Sequence, residues 1–334
     1  MRVRPPAVAL VSAVAACAVV GSVIAALAVP TVSAVTGAAT ATALAQRVAP
    51  PTPPGTSIGG CAIFPADNPW NTRVDTLSLR AGSAQTIARL AATPATSRLH
   101  PDFGENPAYG IPYIVAPAAQ PRVPIMFRNG GADESDPGPY PVPLDAPVEG
   151  GSDAHVLVLQ QGSCHLFELA VGALSGAGWA ADWGAEFDLT SNALRPLGWT
   201  SADAAGLPIL PGLVRYDEVA SGRITHAIRV TFAQTQRAYI FPATHFASSR
   251  TDADLPPMGL RMRLRADYDL SALTGQARVI AVALQQFGFI VADNGSNWYF
   301  QGAPSPGWND ADLAQLKAVP GNAFEVVDTG PTHS

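Results

Sequence analysis

Residues 224–232, ITHAIRVTF, alternate side chains with a period of two, and residues 260–266, LRMRLRA, set Leu260, Met262 and Leu264 against Arg261, Arg263 and Arg265. Successive side chains of a strand point to opposite faces, so both runs predict strands of a sheet with one buried face. Shorter strand-like runs surround them: GIPYIVA (110–116), VPIMF (123–127), HVLVLQ (155–160), HLFELAV (165–171), LVRYDEV (213–219) and RAYIFPA (237–243). Helical patterns are few: SAQTIARLAA (83–92), QARVIAVALQQFGF (276–289) and NDADLAQLKAV (309–319), the first and last opening on capping residues. The expectation is a mainly β protein, a single β-sandwich or barrel-like domain with two or three packed helices.

Composition agrees. Charged residues make up only 14% of the 334, and 30 glycines and 31 prolines disfavour long helices. The apolar share of 48% is enough to build a core. Lys317 is the single lysine among 20 basic residues.

The N-terminus is of another kind. Residues 1–46 contain no acid, and Arg2 and Arg4 precede the apolar run 7–29. Residues 1–45 therefore read as an export signal, or a membrane anchor if uncleaved, and 46–60 as a Pro/Gly/Ser linker. One β-rich domain is expected over 61–328, followed by a tail at 329–334. Loss of Arg2 and Arg4 takes the formal charge from −6 to −8, which leaves no basic stripe for nucleic acid. A secreted or extracytoplasmic monomer is expected, touching a membrane only if the N-terminal segment is retained. Cleavage also removes Cys17, leaving Cys61 and Cys164 to form one disulfide worth about 4 kcal/mol in the chain-entropy model.

Familiar motifs give little. GTSIG (55–59) matches a nucleophile elbow but sits in the linker, and GAGWAA (176–181) matches a dinucleotide fingerprint without a capped helix after it. No HExxH, CxxC or P-loop occurs, and His100, His155, His165, His226 and His245 form no ligand-spaced pair. Neither a metal nor a cofactor is expected.

Polar clusters stand out against so few charges. DESDPGPYPVP (133–143) carries Asp133, Glu134, Asp136 and Tyr140 on a segment stiffened by four prolines. RYDEV (215–219) supplies Tyr216, Asp217 and Glu218, and a turn at 220–223 would pair it with the strand holding His226 and Arg229. His245 follows a strand end, and Asp293 and Trp298 flank a glycine turn. Trp70, Trp199, Trp298 and Trp308 lie in loop-like contexts, as sugar platforms do.

Several of these runs occur together: FPADNPWN (64–71), LHPDFG (99–104), DESDPGPYPVP, SNALRPLGWTSADAAGLPILPGLVRYDEV (191–219), HFASS (245–249), PPMG (256–259) and VADNGSNWYFQGAP (291–304). As a set they resemble a family of secreted proteins from actinobacteria and other soil bacteria. The resemblance spans nearly all of 61–328 and implies one extracytoplasmic domain, with no activity to transfer.

Carboxylates, histidines, arginines and flat aromatics at strand ends predict a polysaccharide-active enzyme, first of all a glycoside hydrolase. The expected acid is Glu218 and the base or nucleophile Asp136, with Glu134 and Asp217 as further carboxylates. Asp133, Tyr140, Tyr216, His226, Arg229, His245, Asp293 and Trp298 would bind a polysaccharide or cell-wall glycan. A lyase with a His or Tyr base, or a non-catalytic glycan-binding module, uses the same residues.

Overall fold

The computed structural model describes residues 57–93 and 97–334. The expected export signal and most of the linker lie outside these residues. Fifteen short strands and four helices follow one another along the described chain. The first strands are β1 (Ser57–Ile58), β2 (Cys61–Ala62), β3 (His100–Asp102), β4 (Tyr113–Ala116) and β5 (Ile125–Phe127), with α1 (Ser83–Leu90) between β2 and β3. Next come β6 (Val156–Gln160), β7 (His165–Ala170), β8 (Ala173–Ser175), β9 (Gly178–Ala181) and β10 (Trp183–Asp188). The last third contains α2 (Tyr216–Ala220), β11 (Ile228–Phe232), β12 (Arg261–Leu264), α3 (Gly275–Gln286) and β13 (Phe289–Asn294). It closes with β14 (Tyr299–Gln301), α4 (Asp310–Ala314) and β15 (Phe324–Val326).

The protein is mainly β, as its alternation predicts. A six-stranded sheet runs β15-β12-β13-β11-β14-β3, a four-stranded sheet β10-β7-β6-β4 and a three-stranded one β5-β9-β8. The four-stranded sheet is buried on both faces. Leu157, Leu159 and Leu166 join the large core shared with the six-stranded sheet. Val156, Val158, Phe167 and Leu169 point the other way, into a smaller core with Tyr140 and Trp179. A strand buried on both faces reads as a continuous apolar run, which is why VLVL lacks alternation.

Cys61 and Cys164 are joined by a disulfide that ties β2 to the β6–β7 turn across 103 residues. Among the described residues no helix is long and apolar enough to cross a membrane. The tail folds back: Tyr239 and His333 exchange backbone hydrogen bonds of 2.9 and 2.8 Å, and their rings stack.

Three expected elements differ. LVRYDEV is not a strand; Tyr216–Ala220 forms α2, with Asp217 and Glu218 in its first turn. Acids at a helix N-terminus face its positive dipole end, and Gly222, at φ +86°, ends the helix, so no hairpin forms at 220–223. Accordingly β11 begins only at Ile228, leaving His226 outside it. RAYIFPA contributes only single bridges at Tyr239, as Pro242 lacks the N–H that a ladder requires.

Candidate active site

The DESD segment begins as a 3-10 turn over Gly131–Glu134 and is then pinned to β10. The Ser135 hydroxyl donates to the Gly131 carbonyl (2.6 Å) and accepts from the Gly184 N–H (3.0 Å). Asp136 accepts from the Glu186 N–H at 2.9 Å and pairs with the guanidinium of Arg195. Arg195 donates further to the carbonyls of Thr200 (2.8 Å) and Glu134 (3.0 Å). Gly131 allows this approach, since a Cβ there would lie 1.7 Å from the Asp182 carbonyl oxygen. The Tyr140 hydroxyl donates to the Asp136 carbonyl at 2.6 Å, while its ring is fully buried. Asp136 and Tyr140 thus hold the segment in place, and the group left at the surface of a cleft is Glu134.

That cleft has a volume of about 510 Å³ and is lined by Glu134, His155, Trp183, Thr200, His245 and Asp293, among others. Glu134 accepts a 3.2 Å hydrogen bond from the Thr200 N–H. His245 donates from Nδ1 to the Ala204 carbonyl at 2.8 Å, which leaves Nε2 as the ring nitrogen for a ligand.

A register shift delivers Asp293. Strands β11 and β13 pair Val230 with Val291 but Thr231 with Asp293, so Ala292 is an extra residue. In unshifted register Asp293 would point to the opposite face; the bulge turns it to the face carrying Arg229 and Thr231. The Ala292 carbonyl accepts from the Ala205 N–H at 3.0 Å.

Beneath the cleft lies a buried charge cluster. Asp203, with no exposed surface, is held bidentately by Arg229, which also donates to Gln301. Burial comes first in raising the Asp293 carboxyl well above the usual carboxylate range; the charge of Asp203, with which it shares a hydrogen bond, adds to this. Two carboxylates in contact cannot both ionise cheaply, and it is Asp203 that the Arg229 guanidinium holds. His155 bonds the Glu149 carboxylate at 2.5 Å and the Ala202 carbonyl at 3.0 Å. Burial alone would lower its pKa, but the Glu149 hydrogen bond and charge carry it up to about 9, so it is an imidazolium at neutral pH.

One short segment organises all of this. In Ser201–Ala205 the Ala202 carbonyl receives His155, Asp203 meets Arg229 and Asp293, and the Ala204 carbonyl receives His245. Asp203 was not foreseen as a site residue, nor were Trp183, Thr200 and Arg195. Asp203 did carry a signal, as a lone acid among alanines in a charge-poor chain.

The expected residues separate. Glu134, His245 and Asp293 meet in the cleft. Glu218, the expected acid, is fully enclosed in α2, 2.7 Å from Arg215 Nη2 and 3.0 Å from His226 Nε2. It does meet His226, as the imagined hairpin required, but as a buried ion cluster with no opening to a substrate. Asp217 and Tyr216 line a different cleft of about 670 Å³, with Tyr113 and Arg215. Asp133 is exposed, Arg229 is buried beneath the site, and Trp298 is a core residue whose Nε1 donates to the Leu90 carbonyl at 3.1 Å. Trp70 and Trp308 are likewise core, not platforms. Trp199 lies against the Arg195 guanidinium, 5.6 Å from its ring. Among the described residues no group of three or more His, Cys, Asp and Glu side chains is arranged to hold a metal ion. No family model, no curated protein and no solved structure matches the chain.

Proposed function

We propose that this protein is an exported glycan-active hydrolase that works in the cleft between Glu134 and Asp293. The observation that carries this reading is a carboxyl pair lining that cleft: Asp293, its carboxyl raised by burial and by the Arg229-bound Asp203 beneath it, shares the cleft with Glu134. An acid whose carboxyl is raised above the usual range and a second carboxylate are the two groups that glycosidic cleavage needs. Asp293 gives its proton to the glycosidic oxygen as the bond to the anomeric carbon breaks. Glu134 takes a proton from the water that attacks that carbon, or attacks it directly and is then released by water. His245 Nε2 accepts from a sugar hydroxyl, and the half-buried Trp183 offers a flat face to a ring. The disulfide suits an oxidising compartment, in keeping with export.

The test is release of reducing ends from xylan, laminarin, mannan and peptidoglycan by the wild type and by Asp293→Asn and Glu134→Gln. Each variant should lose about 10²- to 10⁴-fold in rate. A wild type inactive on every substrate, or variants as fast as the wild type, would overturn the reading.

A further inference from the structure

The face of the six-stranded sheet that carries Arg229 and Thr231 continues to its edge. Register pairs Thr231 with Tyr299, Tyr299 with His100 and Gln301 with Asp102, so these side chains share that face. At the edge two depressions of about 490 Å³ each adjoin and have His100, Tyr299 and Lys317 in common. They form one groove around the stacked His100 and Tyr299 rings, whose centroids are 3.9 Å apart at an interplanar angle of 9°. Tyr109, 57% exposed, stands in its wall. None of these residues takes part in the chemistry of the cleft.

We propose that this edge groove is a second, non-catalytic saccharide-binding site, with Tyr299 and Tyr109 as its ring-stacking residues. The proposal rests on the glycan reading of the cleft for its ligand class, and the groove's own chemistry favours the same class. Its formal charges cancel, Arg98 and Lys317 against Asp102 and Asp310, which suits a neutral ligand better than a phosphate or a uronate. Burial, followed by the nearby Lys317, lowers the His100 pKa and keeps that ring neutral. Asp102 and Asn297 add hydrogen-bonding groups of both kinds, as sugar hydroxyls require. An added peptide strand fits poorly: β3 is three residues long, Pro101 at its centre has no N–H, and the preceding Leu99 already donates to Val319 at 3.1 Å.

The experiment is affinity electrophoresis of the full chain carrying Glu134→Gln, to stop turnover, in native gels with laminarin, xylan, mannan or no polysaccharide. At least one polysaccharide should retard the protein, and adding Tyr299→Ala or Tyr109→Ala should weaken apparent binding by about fivefold to tenfold. Tyr109 is exposed, so its replacement leaves the fold intact whatever Tyr299→Ala does. Absence of retardation on every polysaccharide, or equal retardation with both tyrosines replaced, would refute the groove. Hydrolysis by the wild type together with unchanged binding in the tyrosine variants refutes the groove and leaves the cleft standing. Retardation lost in those variants without any wild-type hydrolysis supports the groove and removes the cleft.

Discussion

Glu168 sits on β7 with no exposed surface, and both its oxygens accept from the Ile209 N–H (3.0 and 2.9 Å). Oε1 also accepts from the Leu210 N–H at 3.0 Å. Burial raises this carboxyl from its ordinary 4.5 to about 7, against the lowering by those N–H groups. A displacement of that size corresponds to about 3 kcal/mol between the protonation states. The sign follows from proton binding: between the two pKa values the folded chain keeps a proton that the unfolded chain has lost. The contribution is complete below pH 4.5, falls as pH rises by up to about 1.4 kcal/mol per pH unit, and is gone above pH 7. Glu168→Gln keeps an acceptor for the same N–H groups and cannot ionise. Relative to the wild type it should therefore gain about 3 kcal/mol between pH 4.5 and pH 8. Urea unfolding followed by tryptophan fluorescence at pH 4.5, 5.5, 6.5 and 8 measures that gain, and all other titrating groups cancel in the difference. A difference that stays constant across the range would mean that Glu168 remains ionised throughout and that its N–H bonds outweigh burial.

Replacing Cys61 and Cys164 together by serine, which opens a loop of 103 residues, should lower unfolding stability by about 4–5 kcal/mol in the chain-entropy model. Reductant should then destabilise the wild type and leave the double variant unmoved. Glu218→Gln removes the charge between Arg215 and His226 and should cost about 3–5 kcal/mol in chemical denaturation. Its rate per folded molecule on any polysaccharide that the wild type cleaves should stay unchanged; lost turnover at undiminished stability would return Glu218 to the chemistry.

Much of the architecture was legible because strand alternation is local, and 260–264 reads the same in sequence and in space. The misreading of RYDEV was local too. Its β-compatible residues masked two helix signals, acids in the first turn and Gly222 just beyond the last. The site was legible only in part, for a different reason. Glu134, His245 and Asp293 could be named as polar residues in stiff or turn-like settings. The raised carboxyl of Asp293 depends on burial, on Asp203, 90 positions away, and on a bulge that leaves no trace in the sequence around Ala292. Likewise Glu218 looked catalytic as a carboxyl that burial would keep protonated. The cost is offset by Arg215 and His226, a pairing visible only once α2 is folded.

The segment Ser201–Ala205 has a consequence for how the protein fails. Its carbonyls and one carboxylate hold His155, His245 and Asp293 at once, and its own backbone is tied in turn: Ala205 N–H donates to the Ala292 carbonyl, the Ala205 carbonyl accepts from Thr244 and His245 N–H, and the Asp203 carbonyl accepts from Gly206 N–H. Local openings of a native protein cost less than global unfolding. A single excursion of these five residues would release both imidazoles and remove both the burial and the Asp203 charge that raise the Asp293 carboxyl, while both large sheets stay folded. Loss of the site in such an opening should therefore be all-or-none. The amide protons of Ala205 and Thr244, which donate to the Ala292 and Ala205 carbonyls, would exchange together as its reporters.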